Sequence, residues 1–409
     1  MIRMQNKPLI EKFTAFLGIE RNLIVLSLTS ALIVFGRSLW DRVFSIFIYN
    51  ELKASPEEIG LMFTTSAISA AITMMAIGPL ADKYGKKKFI VAGNFLLSLA
   101  VFLMAFVQTW VQLLPLVFVF NIAHFYGPIS LAMIADSVPA EKRGAALAFS
   151  IIFPALTSSL GIATGGVFSA MLNFRAVFIA SSLLYLLSAI LRCIFLKEAN
   201  VKFNQDDRTT LHIRGFKSFL RREGRQIQIL MIILYLNALA EEIYYPYYYA
   251  LYASEILRLA VSQIAFASAI SMGIWPIFCF IGGKLSDKYG RKKIVAVSLI
   301  PEFTLLIGFL YAPNALFVYF ISATMGAFEG FSEPAWDAVL IDITPEKYRA
   351  TVFCAISTFE ELILNLGPLI GGLSWSVFGP KSPFFIASAL SAICLITLTL
   401  FFKESNKTN

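Results

Sequence analysis

The stretch GPLADKYGKKK, Gly78–Lys88, recurs 205 residues later as GKLSDKYGRKK, Gly283–Lys293. Each copy joins two long apolar blocks. Two further pairs keep almost the same register. DSVPAEKRGA (Asp136–Ala145) returns as DITPEKYRAT (Asp342–Thr351), and GIATGG (Gly161–Gly166) returns as GPLIGG (Gly367–Gly372), both at an offset of 206. Three matches at nearly one offset mean two parallel copies of one structural unit.

Composition says what solvent those copies meet. Of the 409 residues, 58% are hydrophobic and only 15% are charged, and mean hydropathy is +0.73. A soluble domain carries about a quarter charged residues. The apolar residues come in blocks of roughly 20 or more, enough to cross about 30 Å of hydrocarbon as helix. The strict alternation of a membrane β-barrel is missing. The expected class is an all-α polytopic membrane protein.

Twelve spans are expected. The first six cover roughly 22–49, 57–79, 88–107, 112–135, 143–170 and 175–196; the second six cover roughly 226–252, 261–283, 293–312, 315–341, 350–377 and 383–402. This divides the chain into a bundle at 1–196, a basic linker at 197–225 and a second bundle at 226–409. The linker's HIRGFKSFLRR reads either as an amphipathic surface helix or as solvated chain. No cleavage site follows the mixed, amphipathic first 21 residues, so no signal peptide is expected.

The net charge of +8 would suggest a nucleic-acid partner in a soluble protein. Here about 28 of the 34 Lys and Arg residues fall on one side of the spans, which explains the charge and puts both termini in the cytoplasm. The four cysteines, Cys193, Cys279, Cys354 and Cys394, lie in apolar segments without metal-ligand spacing and read as small buried hydrophobes. No phosphate-binding GxxxxGK[ST] motif is present, so nucleotide hydrolysis is not expected.

The repeated loop, G-x-L-x-D-[RK]-x-G-[RK]-[RK], resembles the signature of the major facilitator superfamily, and the resemblance spans nearly the whole chain. It implies two pseudo-symmetric six-helix bundles that carry small solutes by alternating access, with no cofactor, no metal and no catalysis. It also implies a gate on the cytoplasmic face. In the first half its residues are Gly78, Asp82, Gly85, Lys86, Asp136 and Arg143; in the second they are Gly283, Asp287, Gly290, Arg291, Asp342 and Arg349. The look is nearest to proton-coupled drug exporters, although GIATGG has Ile162 where that group carries proline. Both glycine stretches read as helix-packing elements.

The resemblance further implies that the first, fourth, seventh and tenth spans line the solute pathway. Charges inside spans cost at least about 2.5 kcal/mol at mid-helix and need a reason. Most lie on these four: Arg37, Asp41 and Arg42 in the first, His124 in the fourth, Glu241 and Glu242 in the seventh, and Glu329, Glu333 and Asp337 in the tenth. The eleventh adds Glu360 and Glu361. Glu329, Glu333 and Asp337 form one helical stripe, and Arg37 and Asp41 are spaced to pair. Arg37 and Glu242 are equivalent by the repeat and are candidates for pairing between halves.

Glu241 stands in EEIYYPYYY (Glu241–Tyr249), where it shares a stripe with Tyr245 and Tyr248. Pro246 is expected to bend this helix. Tyr247 to Tyr249 are expected to form a headgroup belt; Tyr244 and Tyr245 fit belt or pathway equally. His124 is expected as a satisfied polar core residue before a proton relay. Glu302 sits in the ninth span, which usually faces lipid in the resembled family, and needs protonation or a local partner.

Three functions fit. Carboxylates and tyrosine faces suit proton-coupled efflux of amphipathic or cationic compounds. Alternatively, Arg37 anchors a small polar or anionic metabolite. A sensor or lipid scramblase has the weakest support. The expected partners are a solute, protons and the bilayer of the plasma membrane, with no nucleic acid and a functional monomer.

Overall fold

The computed structural model describes residues 21–138, 143–198, 225–343 and 364–402. The described residues form fifteen α-helices and one short 3-10 turn, some of them halves of one span, and no strand. Nine, among those residues, are long and apolar enough to cross a membrane. Hydrocarbon offers no partner to backbone N–H and C=O groups, so a helix, which pairs them internally, is the form such segments must take. Large apolar side chains such as Leu160, Leu183, Ile194, Phe280 and Phe320 remain exposed, as lipid-facing surface requires.

The repeated loop explains where spans end. Span 2 runs Pro56–Tyr84 and span 3 begins at Lys86; span 8 runs Val261–Tyr289 and span 9 begins at Arg291. The single residues between them, Gly85 and Gly290, have φ of 100° and 96°. A side chain is strained there, so glycine is what turns the chain within one residue. Arg291 and Lys292 then fasten the second copy. Arg291 pairs with Asp342 at the end of span 10 (Ala315–Ile343), lies 3.7 Å from Asp287 and donates to the Ala338 carbonyl. The Lys292 ammonium donates to the carbonyls of Thr399 (3.1 Å) and Phe402. In the first copy, the Glu198 carboxylate accepts from the N–H groups of Lys86 (2.8 Å) and Lys87 (3.1 Å), capping the positive end of span 3.

Three of the described spans are broken. Span 1 is Arg21–Ser38 and Phe44–Asn50 with a 3-10 turn at Asp41–Val43 between; span 4 is Trp110–Ala123 and Tyr126–Ser137; span 7 is Arg225–Tyr244 and Tyr247–Glu255. The span 7 break falls at Tyr245–Pro246, where proline has no N–H to return to the preceding turn. The expected bend is therefore an interruption of the helix.

Helices group into two compact units. One holds the described residues of Met1–Asp41 and Ser66–Asn204; the other holds those of Arg42–Thr65 and Gln205–Asn409. In the first, Leu26, Ile90, Met133 and Ile134 form a buried cluster. Arg192 of span 6 (Phe174–Phe195) is fully buried there. It donates to Thr29 Oγ1 (2.8 Å), Ser30 Oγ (2.7 Å) and Asn94 Oδ1 (3.3 Å) and lies 5.2 Å from the Tyr126 ring centre.

In the second unit, Leu230, Ile233, Val295, Ala335 and Leu398 form the core. Residues 42–65 belong here by their contacts. Ser45 donates to the Tyr247 carbonyl (2.8 Å), Phe63 stacks on Tyr247 with centroids 3.9 Å apart, and Asn50 donates to Glu255 (3.0 Å). Tyr248 is 0% exposed, and its hydroxyl lies 2.6 Å from the Pro368 carbonyl and 3.1 Å from that of Pro56. Tyr249 is also buried. The expectation of a headgroup belt is thus corrected for both. Each phenol finds a polar partner inside the unit, which satisfies it better than an interface would.

GPLIGG makes this packing possible. A Cβ at Gly371 would meet the Tyr248 ring, and one at Gly372 would lie 2.7 Å from its hydroxyl. In the first unit, a Cβ at Gly161 would lie 2.7 Å from Ser38. Both stretches serve close helix approach.

Candidate functional site

A cavity of about 350 Å³ opens within the second unit. The span 7 break places Glu241, Glu242, Tyr245 and Tyr249 along its wall. Span 10 supplies Glu329 and Glu333, which are one helical turn apart and therefore share a face. Span 8 supplies Trp275, and the 42–65 segment supplies Arg42. The Arg42 guanidinium lies 4.7 Å from the Tyr245 ring centre. Tyr245 meets Tyr249 edge-to-face at 5.9 Å, and the Tyr249 hydroxyl is 2.9 Å from Ser322 Oγ. One guanidinium thus stands among four carboxylates, with aromatic faces beside them. That set attracts cations and offers proton-accepting oxygens.

A smaller cavity of about 80 Å³ has Glu241, Tyr244 and Glu329 in its wall as well. It reaches Glu302 in span 9 and Asn237 in span 7. Glu302 accepts a hydrogen bond from Ser391 at 3.0 Å, which supplies the local partner its position demanded.

The remaining expected residues lie elsewhere. Arg37 and Asp41 pair at 3.3 Å in the first unit. The Arg37 guanidinium also reaches His124 Nε2 at 3.2 Å, while His124 Nδ1 is 2.8 Å from the Phe120 carbonyl. A guanidinium only donates and a carbonyl only accepts, so the imidazole is neutral with its proton on Nδ1. His124 is a satisfied polar residue that holds Arg37. Glu242, a candidate partner of Arg37, lines the second-unit cavity. Tyr248 does not line the cavity, because its hydroxyl is committed to helix packing. Glu360, Glu361 and Arg349 lie outside the described residues, as do the side chains of Asp82, Asp136, Arg143 and Asp337.

Sequence reasoning passed over Trp275 and Ser322, gave Tyr249 to the headgroup belt and did not single out Arg42. The Trp275–Pro276 pair inside span 8 was a signal for the first, since an indole N–H in an apolar span wants a polar neighbour. Nothing local distinguished Arg42.

Comparison with known proteins identifies the class. The Major Facilitator Superfamily profile matches residues 26–301 and again 230–409. The chain belongs to that superfamily: it is an integral membrane transporter of small solutes, not an enzyme. Among curated relatives, it is 28% identical over 359 residues to the multi-drug resistance efflux pump PmrA of Streptococcus pneumoniae, covering 84% of this chain and 86% of that one. It is 24% identical over 335 residues to multidrug resistance protein MdtG of Salmonella schwarzengrund, covering 81% and 82%. Among solved structures, a bacterial homologue of the human lysosomal transporter Spinster superposes with a TM-score of 0.76 at 15% identity, over 92% of this chain and 95% of that one. At that identity the likeness speaks to fold.

Proposed function

We propose that this protein is a proton-coupled exporter of amphipathic cations, with Glu241, Glu242, Glu329 and Glu333 as the shared site for cation and proton. The observation that carries this reading is the second-unit cavity, whose wall brings four carboxylates and four aromatic side chains together with one arginine. An ammonium or phosphonium gains from carboxylate charge and from ring faces, the latter worth about 0.5–2 kcal/mol. A cation and a proton that compete for one carboxylate cannot both be bound, and that exclusion is antiport. The relatives named as multidrug resistance proteins support the substrate class.

In this reading the protein works as a monomer in the plasma membrane with both termini cytoplasmic. The bundles at 1–196 and 226–409, joined by the 197–225 linker, alternate access. The glycine loops with Asp82, Lys86, Asp136 and Arg143, and with Asp287, Arg291, Asp342 and Arg349, act as the cytoplasmic gate. Glu360 and Glu361 add coupling carboxylates. Arg37, with Asp41 and His124, is a fixed polar element.

The test uses proteoliposomes with an internal pH-sensitive dye and an imposed pH gradient. Tetraphenylphosphonium is expected to trigger proton flux in wild type and not in Glu329→Gln. Flux triggered only by small anions would replace this reading with a metabolite carrier.

A further inference from the structure

Glu302 is the intramembrane carboxylate that the cavity chemistry leaves without a task. It lines the 80 Å³ side cavity, and that cavity shares Glu241, Tyr244, Met325 and Glu329 with the main one. Its carboxylate and the cation site thus have wall residues in common. Ser391 donates to its Oε1 at 3.0 Å, which fixes the group without neutralising it. In the same cavity wall, Asn237 Oδ1 is buried and has no hydrogen-bond donor. A buried acceptor without a donor costs about 1–3 kcal/mol, and a mobile proton or the water that carries it would relieve that cost.

The repeat sharpens the contrast. In the first unit the same three helix positions, spans 1, 3 and 6, hold Arg192 with Thr29, Ser30 and Asn94. In the second unit, spans 7, 9 and 12 hold Asn237, Glu302 and Ser391; Asn237 and Glu302 lie within one helical turn of the repeat equivalents of Ser30 and Asn94, while Ser391 lies about two turns before that of Arg192. Arginine is always charged, and its site here is fully buried. A carboxylate can change charge, and its site opens on a cavity. One unit buries a permanent charge, on span 6, and the other an exchangeable one, on span 9.

We infer that Glu302 is the proton store of the second unit, a carboxylate that takes up the proton displaced when a cation occupies Glu241 or Glu329. This rests on the proposed cation site. In the step, an O–H bond breaks at Glu241 or Glu329 and one forms at Glu302. The carboxylate left behind is neutralised by the arriving cation, and release of the cation reverses this transfer; the protons exchanged across the membrane are those that leave the remaining cavity carboxylates. The titratable groups facing Glu302 are Glu241 and Tyr244 of span 7, Glu329 of span 10 and Cys394 of span 12. Asn237 and the Ser391 hydroxyl are its polar neighbours.

Infrared difference spectroscopy of the whole purified protein in lipid tests this. Without any solute, a pH step between about 5 and 9 is expected to give a carboxylic-acid band that Glu302→Gln removes and Ser391→Ala displaces in pH. If Glu302→Gln does not fold, Ser391→Ala still decides, because it keeps the carboxyl and removes only its donor. A band unchanged in these variants overturns the inference. With tetraphenylphosphonium added at constant pH, the Glu302 band is expected to gain intensity, and Glu302→Gln is expected to release about one more proton per protein to bulk water than wild type. A Glu302 band that responds to pH but not to tetraphenylphosphonium, with no binding of that cation, would sink the exporter reading and leave Glu302 as a proton site. Binding with equal proton release in wild type and Glu302→Gln would sink the store and leave the exporter.

Discussion

At the scale of the residue, the cavity assigns different weights to its acids and aromatics. Glu329 borders both cavities, which in the proposed exporter sets it before cation and proton alike. Glu329→Gln is expected to weaken tetraphenylphosphonium binding at least about tenfold, as scintillation proximity would read, since a charged contact in a poorly solvated site is worth more than one in water. Tyr245→Ala is expected to cost about threefold to thirtyfold in the same assay, the range of a cation–π contact. Arg192 answers a different question. Arg192→Leu strands the polar groups of Thr29, Ser30 and Asn94 in a buried place and is expected to lower stability by about 3 kcal/mol or more in thermal unfolding. The acids were legible in the sequence because charge in an apolar span needs a reason. Arg192 was not, since an arginine near a span end reads as an interface residue until its burial is known. The tyrosines misled for a related reason: a phenol near a span end has the same composition signal in a belt and in a core, and only Tyr248's carbonyl partners separate the two.

At the scale of the element, glycine and proline set the geometry that side chains use. The break at Pro246 puts Tyr245 on the cavity wall and turns Tyr248 toward Pro56 and Pro368. Gly371→Ala places a methyl against the Tyr248 ring and is expected to lower the thermal midpoint, at a cost of about 1–3 kcal/mol. Gly127→Ala is the control, because nothing lies within 4 Å of its Cβ position, and it is expected to leave the midpoint unchanged or raised. The helix ends at Gly85 and Gly290 were readable from the repeated loop, because a single residue between two helices needs positive φ. The break of span 4 was not, since Ala123 to Phe125 carry no proline or glycine. The Glu198 cap was equally hidden, because it joins residues more than a hundred positions apart.

At the scale of the whole molecule, the repeat announced two bundles, and the structure adds that residues 42–65 pack with the second unit. No periodicity could have indicated that, for it depends on tertiary partners such as Tyr247 and Glu255. The Arg291–Asp342 pair fastens span 9 to span 10 within that unit. Arg291→Ala is expected to slow net transport, and the swap Arg291→Asp with Asp342→Arg to restore part of it, as initial rates in proteoliposomes would report. Equal rates for single and double variants would remove the pair from the transport cycle.

The imbalance of four carboxylates to one guanidinium also has an electrical consequence. A charge carried across a membrane at 100 mV is worth about 2.3 kcal/mol. Exchange of one cation for one proton moves no net charge and ignores voltage. Exchange of one cation for two protons moves one, and then the membrane potential alone drives export when both sides have equal pH. In the proposed exporter, the number of acids that titrate in each cycle therefore sets the voltage at which flux reverses.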